Sequence, residues 1–188
     1  YTVVSRQIRV TEEQLASIPS GAPEDVLDRY AARPIATDRV VALAEEITAG
    51  AATPYATVRA IEAWMGDHTR YSLEAPLAPT DADVVDDFLF ESQLGWCEQI
   101  ASSLTVLLRA SGVPARLATG FVPGDWDPIT RSFEVRESDA HAWTEVWFAG
   151  VGWVPFDPTA DVPLAGYAPA SSELASVWGA NADLILLA

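Results

Sequence analysis

Gly95-Trp96-Cys97-Glu98-Gln99-Ile100-Ala101-Ser102-Ser103-Leu104-Thr105-Val106-Leu107-Leu108-Arg109-Ala110-Ser111-Gly112 reads as a loop that turns into a helix at the only cysteine of the chain. Ile100, Leu104, Leu107 and Leu108 recur at helical spacing and give one apolar stripe to bury. Gly112 supplies the stop, and Pro114 prevents continuation. Cys97 is thereby expected in the first helical turn, where free backbone N–H groups and the positive end of the dipole favour an anion. A thiolate is such an anion, so the position lowers the thiol pKa. The place suits a nucleophile.

Outward from this helix, the preceding sequence is helical. Thr11 with Gln14 makes a capping box for a brief helix through Ile18, after a loose alternation over Tyr1–Val10 that reads as a short strand. Helical stretches follow at Glu24–Ala32 and Thr37–Thr48, the second with Val40, Val41, Ala44 and Ile47 on one face. Thr53 followed by Pro54 starts another, running to Gly66. Arg70–Glu74 is expected as a short strand, and Asp81–Phe90 as an acidic-capped helix leading into the Cys97 loop. After Gly112 the period changes to alternation. Arg116–Phe121, Ser132–Arg136, His141–Phe148 and Gly152–Phe156 read as strands, the last two joined as a hairpin. Helices first and antiparallel strands afterwards make an α+β pattern. The chain divides into a lead-in over 1–36, a core over 37–160, and an Ala-, Pro- and Ser-rich tail over 161–188 that is expected to be irregular or to wrap the core.

Composition narrows the function. The 188 residues suffice for one domain with a substantial core, and a hydrophobic fraction of 49% with seven Trp argues for a globular chain. The net charge is −16, and all 11 basic residues are Arg. So acidic a chain repels phosphate backbones and anionic headgroups, which argues against nucleic acid as a partner. No run of 18 apolar residues crosses a membrane within this segment. The chain begins at Tyr1 rather than Met and stops in Leu184-Ile185-Leu186-Leu187, and it is expected to be a piece of a longer polypeptide. One Cys and two His are too few for the usual zinc site. Asp81, Asp83, Asp86 and Asp87 lack the Gly and terminal Glu of an EF-hand loop and read as helix N-terminal acids, so no metal is called for.

In the strand half, His141 lies with Trp143 and Glu145 on one face, and Trp153, Pro155 and Asp157 share a face of the next strand. A hairpin sets the start of one strand beside the end of the other, which makes His141 and Asp157 neighbours. Packing this sheet on the N-terminal end of the Cys97 helix brings together a thiol, an imidazole and a carboxylate, the parts of a nucleophilic triad. Each residue alone has a blander reading. A lone free Cys is more often inert packing, a single His is more often structural, and Asp157-Pro158 can simply open a turn. The ordered set, each at an element terminus, is the stronger pattern.

Gly95-Trp96-Cys97-Glu98-Gln99, then Leu108-Arg109-Ala110-Ser111-Gly112-Val113-Pro114-Ala115-Arg116 and Gly120-Phe121, resembles the core of the bacterial transglutaminase-like superfamily. Asp139-Ala140-His141-Ala142-Trp143-Thr144-Glu145-Val146 and Gly152-Trp153-Val154-Pro155-Phe156-Asp157-Pro158-Thr159 complete the likeness, over about Asp81 to Ala160. The earlier helices more loosely resemble the lead-in of the subgroup whose domain sits between transmembrane segments. The resemblance implies a papain-like α+β fold with the Cys-bearing helix packed on an antiparallel sheet. It implies Cys97 as nucleophile, His141 as general base and acid, and Asp157 as orienting carboxylate. It also implies an extracytoplasmic domain of a membrane-anchored protein, with protein or peptide substrates that include those of the cell envelope. No cofactor enters.

The expected reaction is acyl transfer from an amide through a thioester. Water as acceptor makes the chain a protease or amidase, and an amine makes it a transglutaminase, which is slightly preferred. A fold kept as a binding module without turnover is the third reading, opposed by the intact Cys97, His141 and Asp157. Gln93 and Trp96 are both candidates for the oxyanion donor beyond the Cys97 N–H. Trp126, in the polar loop Pro123–Pro128, and Trp143 are candidates for contacting substrate, with core packing as the alternative. Arg109 and Arg116 are expected in structural ion pairs, Glu98 is expected to point away from the sulfur, and His68 is expected to be exposed without a partner.

Overall fold

The computed structural model describes residues 10–32 and 34–160; the short strand expected over Tyr1–Val10, apart from Val10 itself, and the tail from Asp161 lie outside the described residues. Helix α1 (Glu12–Ser17) starts at the Thr11–Gln14 capping box, with both reciprocal bonds present. Helices α2 (Glu24–Tyr30), α3 (Asp38–Thr48) and α4 (Pro54–His68) follow. Thr37 and Thr53 cap the last two through their hydroxyls. Helix α4 runs two residues past Gly66, which one glycine in a long apolar pattern does not prevent.

The acidic stretch departs from expectation. Helix α5 covers only Val84–Asp87, capped by Asp83, and then widens into a π-helical turn over Phe88–Ser92. That turn ends at Gln93 in the left-handed region (φ 51°) and redirects the chain. Strand β1 (Arg70–Tyr71) then pairs in parallel with β2 (Leu94–Gly95), setting Tyr71 opposite Gly95. Asp86 is occupied structurally: its carboxylate accepts bonds from Thr37 and from the Arg39 guanidinium, which also reaches Glu91 at 2.8 Å and lies over the Phe90 ring. This network ties the start of α3 to the turn that delivers the cysteine.

Helix α6 (Cys97–Ala110) is the centre of the molecule. Ile100, Leu104, Leu107 and Leu108 are fully buried, together with Val58, Ile61 and Met65 of α4 and Val40 of α3. Leu15 of α1 joins the same cluster. The helix ends as its sequence dictates. Gly112 adopts φ +76°, its N–H bonds the Arg109 carbonyl, and the Val113 N–H bonds that of Leu108.

The sheet has the order β3–β6–β7, all antiparallel, from β3 (Ala115–Phe121), β6 (Ala140–Phe148) and β7 (Gly152–Phe156). Central strand β6 turns Ala142, Thr144, Val146 and Phe148 inward and His141, Trp143, Glu145 and Trp147 to the other face. Thr144 donates to the Ala101 carbonyl of α6 at 3.0 Å and meets the Thr105 hydroxyl at 3.2 Å, so hydroxyls fasten helix to strand inside a dry seam. On the outer face Arg116 bonds Glu145 across the strands at 2.6 Å and stacks 4.2 Å from Trp153, with Tyr30 of α2 set edge-on against the same Trp. Among the described residues Arg109 makes no such ion pair; its Nε donates to the Ala115 carbonyl at 2.7 Å.

Between β3 and β6 stands a hairpin of β4 (Asp125–Asp127) and β5 (Ser132–Glu134). Trp126 therefore sits on a strand rather than in the loop expected for it, packed on Phe133 at 4.9 Å and still half exposed. The register Asp125↔Glu134 brings backbone so close at Gly124 that an added Cβ would lie 1.9 Å from the Glu134 carbonyl oxygen. His68 has a partner after all. It stacks on Trp64 at 4.2 Å, and its Nδ1 lies 2.7 Å from the Trp64 carbonyl oxygen.

Candidate active site

Cys97 is the first residue of α6 and is only partly buried. Trp96 precedes it as the N-cap without a capping side chain; instead the Gln99 side chain accepts the Trp96 backbone N–H at 2.9 Å. Gly95 is required just before this turn. A Cβ there would stand 2.7 Å from the Phe88 ring and 3.0 Å from the Gln99 Cβ.

The sulfur faces the start of β6. The neighbouring His141 imidazole is the largest influence on the Cys97 thiol and lowers its pKa; burial opposes it, and the backbone N–H groups of Ala142 and Glu98 reinforce the lowering. The Glu98 side chain is exposed, as expected.

His141 is held from its other side. Its Nε2 lies 2.8 Å from Oδ2 of Asp157. The bond to Asp157, then that to Cys97, raises the imidazole pKa to about 9 against the cost of burial. Trp143 lies nearly parallel to the imidazole at 6.5 Å. Gly120, paired with His141 across the sheet, leaves room for the Trp143 ring, which a Cβ would meet at 3.0 Å.

Asp157 lies just beyond the end of β7. Its second oxygen, Oδ1, accepts from the Thr159 N–H at 3.0 Å and from the Thr159 hydroxyl at 2.6 Å. Burial raises this carboxyl, but the bonds from His141 and Thr159 together outweigh it and leave the pKa below the ordinary value. The turn that Asp157-Pro158 opens is thus also the clamp that aims the carboxylate. Thr159 escaped the sequence reading, although an Asp followed two residues later by a hydroxyl is a turn signal that points to it.

The other expected groups fare differently. Trp143 is at the site and Trp126 on the neighbouring hairpin, whose root, Phe121↔Ala140, lies one pair beyond His141. Phe121, Trp126, Ile129 and Val135 leave an exposed apolar surface there. Gln93 is exposed, its N–H given to Phe88 and its carbonyl taken by Arg70. With the Trp96 N–H bonded to Gln99, neither backbone donor is open. Tyr71, which nothing in its local sequence singles out, is partly buried opposite Gly95; burial first, then the charges of Cys97 and Asp157, raise its phenol pKa. Among the described residues no group of three or more His, Cys, Asp or Glu is arranged to hold a metal ion, and no helix is long and apolar enough to cross a membrane.

Comparison with known proteins agrees with this architecture. Residues 41–158 match the family model of the transglutaminase-like superfamily. The chain is 39% identical over 125 residues to the protein-glutamine gamma-glutamyltransferase of Pseudomonas aeruginosa, covering 66% of this chain and 18% of that protein. It is 37% identical over 139 residues to the uncharacterized protein YebA of Bacillus subtilis, covering 70% and 19%. The crystal structure of the periplasmic domain of TgpA from Pseudomonas aeruginosa, bound to ethylmercury, superposes with a TM-score of 0.68 at 35% identity, over 79% of this chain and 52% of that one. The chain thus spans about a fifth of the length of the curated relatives it matches. A helical half carrying Cys97 on α6, packed on the β3–β6–β7 sheet, belongs to the transglutaminase-like superfamily.

Proposed function

We propose that the chain is a thiol-dependent acyltransferase that acts on the side-chain amide of glutamine in protein or peptide substrates. The observation that supports this is the imidazole of His141, 2.8 Å from the Asp157 carboxylate and the largest influence lowering the pKa of the Cys97 thiol at the head of α6. A lowered thiol beside a raised imidazole forms a thiolate–imidazolium pair, which supplies nucleophile and acid together.

The thiolate adds to the amide carbonyl carbon, and the displaced electron pair moves to oxygen. The oxyanion is met by the first-turn N–H of Cys97 and one further donor. When it collapses, the carbon–nitrogen bond breaks, and His141 protonates the leaving nitrogen, which departs as ammonia from a glutamine amide. The thioester remains. A primary amine then attacks, gives its proton to the now neutral His141 and expels the thiolate. Asp157 holds the ring orientation and stabilises its charged form throughout.

Likeness to a protein-glutamine gamma-glutamyltransferase supports an amine as acceptor, and likeness to a periplasmic domain supports an extracytoplasmic location with cell-envelope proteins among the substrates. Product partitioning tests the reading. A glutamine peptide is incubated with rising concentrations of a primary amine, and products are resolved by mass. Amide exchange that grows with amine is expected. Free acid alone at saturating amine makes the chain a hydrolase. No reaction, together with a Cys97 that resists iodoacetamide, makes it a binding module.

A further inference from the structure

The phenol of Tyr71 occupies a position the triad leaves unexplained. Strand β1 exists as two residues only, and its pairing with β2 is fixed by the Arg70 N–H on the Gln93 carbonyl and the Ser72 N–H on the Gly95 carbonyl, each at 2.8 Å. That pairing sets Tyr71 opposite Gly95, two residues before the nucleophile. The ring is partly buried against the core cluster, and its hydroxyl has no hydrogen-bond acceptor among the described residues. A phenol body seated on apolar side chains, on a strand paired two residues before the nucleophile, with an O–H not taken up by the described residues, is a donor available to a substrate.

Resting on the acyl-transfer reading above, we propose that the Tyr71 hydroxyl is the second oxyanion donor, hydrogen-bonding the carbonyl oxygen of the acyl substrate while it is attached to Cys97. Burial and the nearby negative charges of Cys97 and Asp157 keep the phenol protonated, as a donor must be. The backbone alternatives are closed, because the Trp96 N–H is bonded to Gln99 and the Gln93 N–H to Phe88. Tyr71 would touch the reacting oxygen, so its part is catalytic rather than merely structural.

Two reactions of the same sulfur separate this role from any other. Acylation by p-nitrophenyl acetate passes through an oxyanion, whereas alkylation by iodoacetamide does not. Tyr71→Phe removes one oxygen and keeps the ring, so the packing persists. The expected result is an acylation burst slowed about 10²-fold, with the alkylation rate within about twofold of wild type. Equal acylation by Tyr71→Phe and wild type overturns the proposal. So does a parallel loss in both reactions, which would mean that Tyr71 acts on the thiolate. Selective loss of acylation in Trp96→Phe or Gln93→Ala, with Tyr71→Phe unaffected, assigns the donor elsewhere. A wild-type chain that alkylates at Cys97 but shows no burst above Cys97→Ala overturns the acyl-transfer reading itself and this inference with it.

Discussion

Nε2 of His141 and Oδ2 of Asp157 lie 2.8 Å apart, and Thr159 fills the other oxygen of the same carboxylate with two bonds. The carboxylate therefore cannot swing away without losing three partners. Asp157→Ala removes the largest upward influence on the imidazole. The expected kcat falls by about two to four orders of magnitude but stays above that of Cys97→Ala, because orientation contributes less than the nucleophile itself. The alkaline limit of activity should also move down from about 9 toward the ordinary histidine range. Steady-state pH profiles of the two variants test both points, and an unmoved alkaline limb contradicts the assignment.

The wild-type pH profile follows from opposite shifts in a coupled pair. Cys97 must be deprotonated and His141 protonated for the pair to react, so the reactive form exists above the lowered thiol pKa and below about 9. A bell-shaped kcat/KM is expected, with its acid limb well under the free thiol value of about 8.5. A single rise centred near that free value would remove the basis for an activated sulfur.

Gly95→Ala is expected to destabilise the fold by about 1 to 3 kcal/mol, since its methyl group collides with the Phe88 ring at 2.7 Å and with Gln99. Because Gln99 holds the Trp96 N–H, the start of α6 should shift as well. Thermal unfolding together with the iodoacetamide rate measures the two effects, and a variant normal in both contradicts this account.

Trp126 is half exposed on a hairpin rooted next to His141, where it packs on Phe133 of its partner strand. Trp126→Ala should leave the midpoint of unfolding almost unchanged and raise KM for peptides severalfold, with kcat little altered. A fall in kcat at constant KM would place Trp126 in the chemistry instead.

What the sequence revealed depended on range. The capping box at Thr11, the Thr37 and Thr53 caps, and the Schellman end at Gly112 are local devices, and each lies where its residues put it. The α6 stripe and the alternation in β6 fixed which faces meet, with Cys97 at the head of the helix and His141 at the start of the strand. The misses share a cause. The π-helical turn at Phe88–Ser92 is fastened by Arg39, which bonds Asp86 and Glu91 on either side of its start, a tertiary contact that no local period encodes. Strand β4 is three residues long and carries two Asp, so turn chemistry masked it. Tyr71 reaches the site through a two-residue parallel pairing with a partner more than twenty positions away, too brief to leave a pattern.

Along β6 the inward side chains grow from Ala142 and Thr144 at the His141 end to Val146 and Phe148 at the other. The spacing of packed elements follows the size of the side chains between them. Strand and helix are therefore expected to lie closer together at the Ala142 end than at the Phe148 end. The gap between sulfur and imidazole is thus adjustable from a position that touches no substrate. One or two methyl groups added at Ala142 would lever the head of α6 outward, while the same addition at the Phe148 end would barely move it. Reactivity can in this way drift by small steps in the core, with the triad itself left intact.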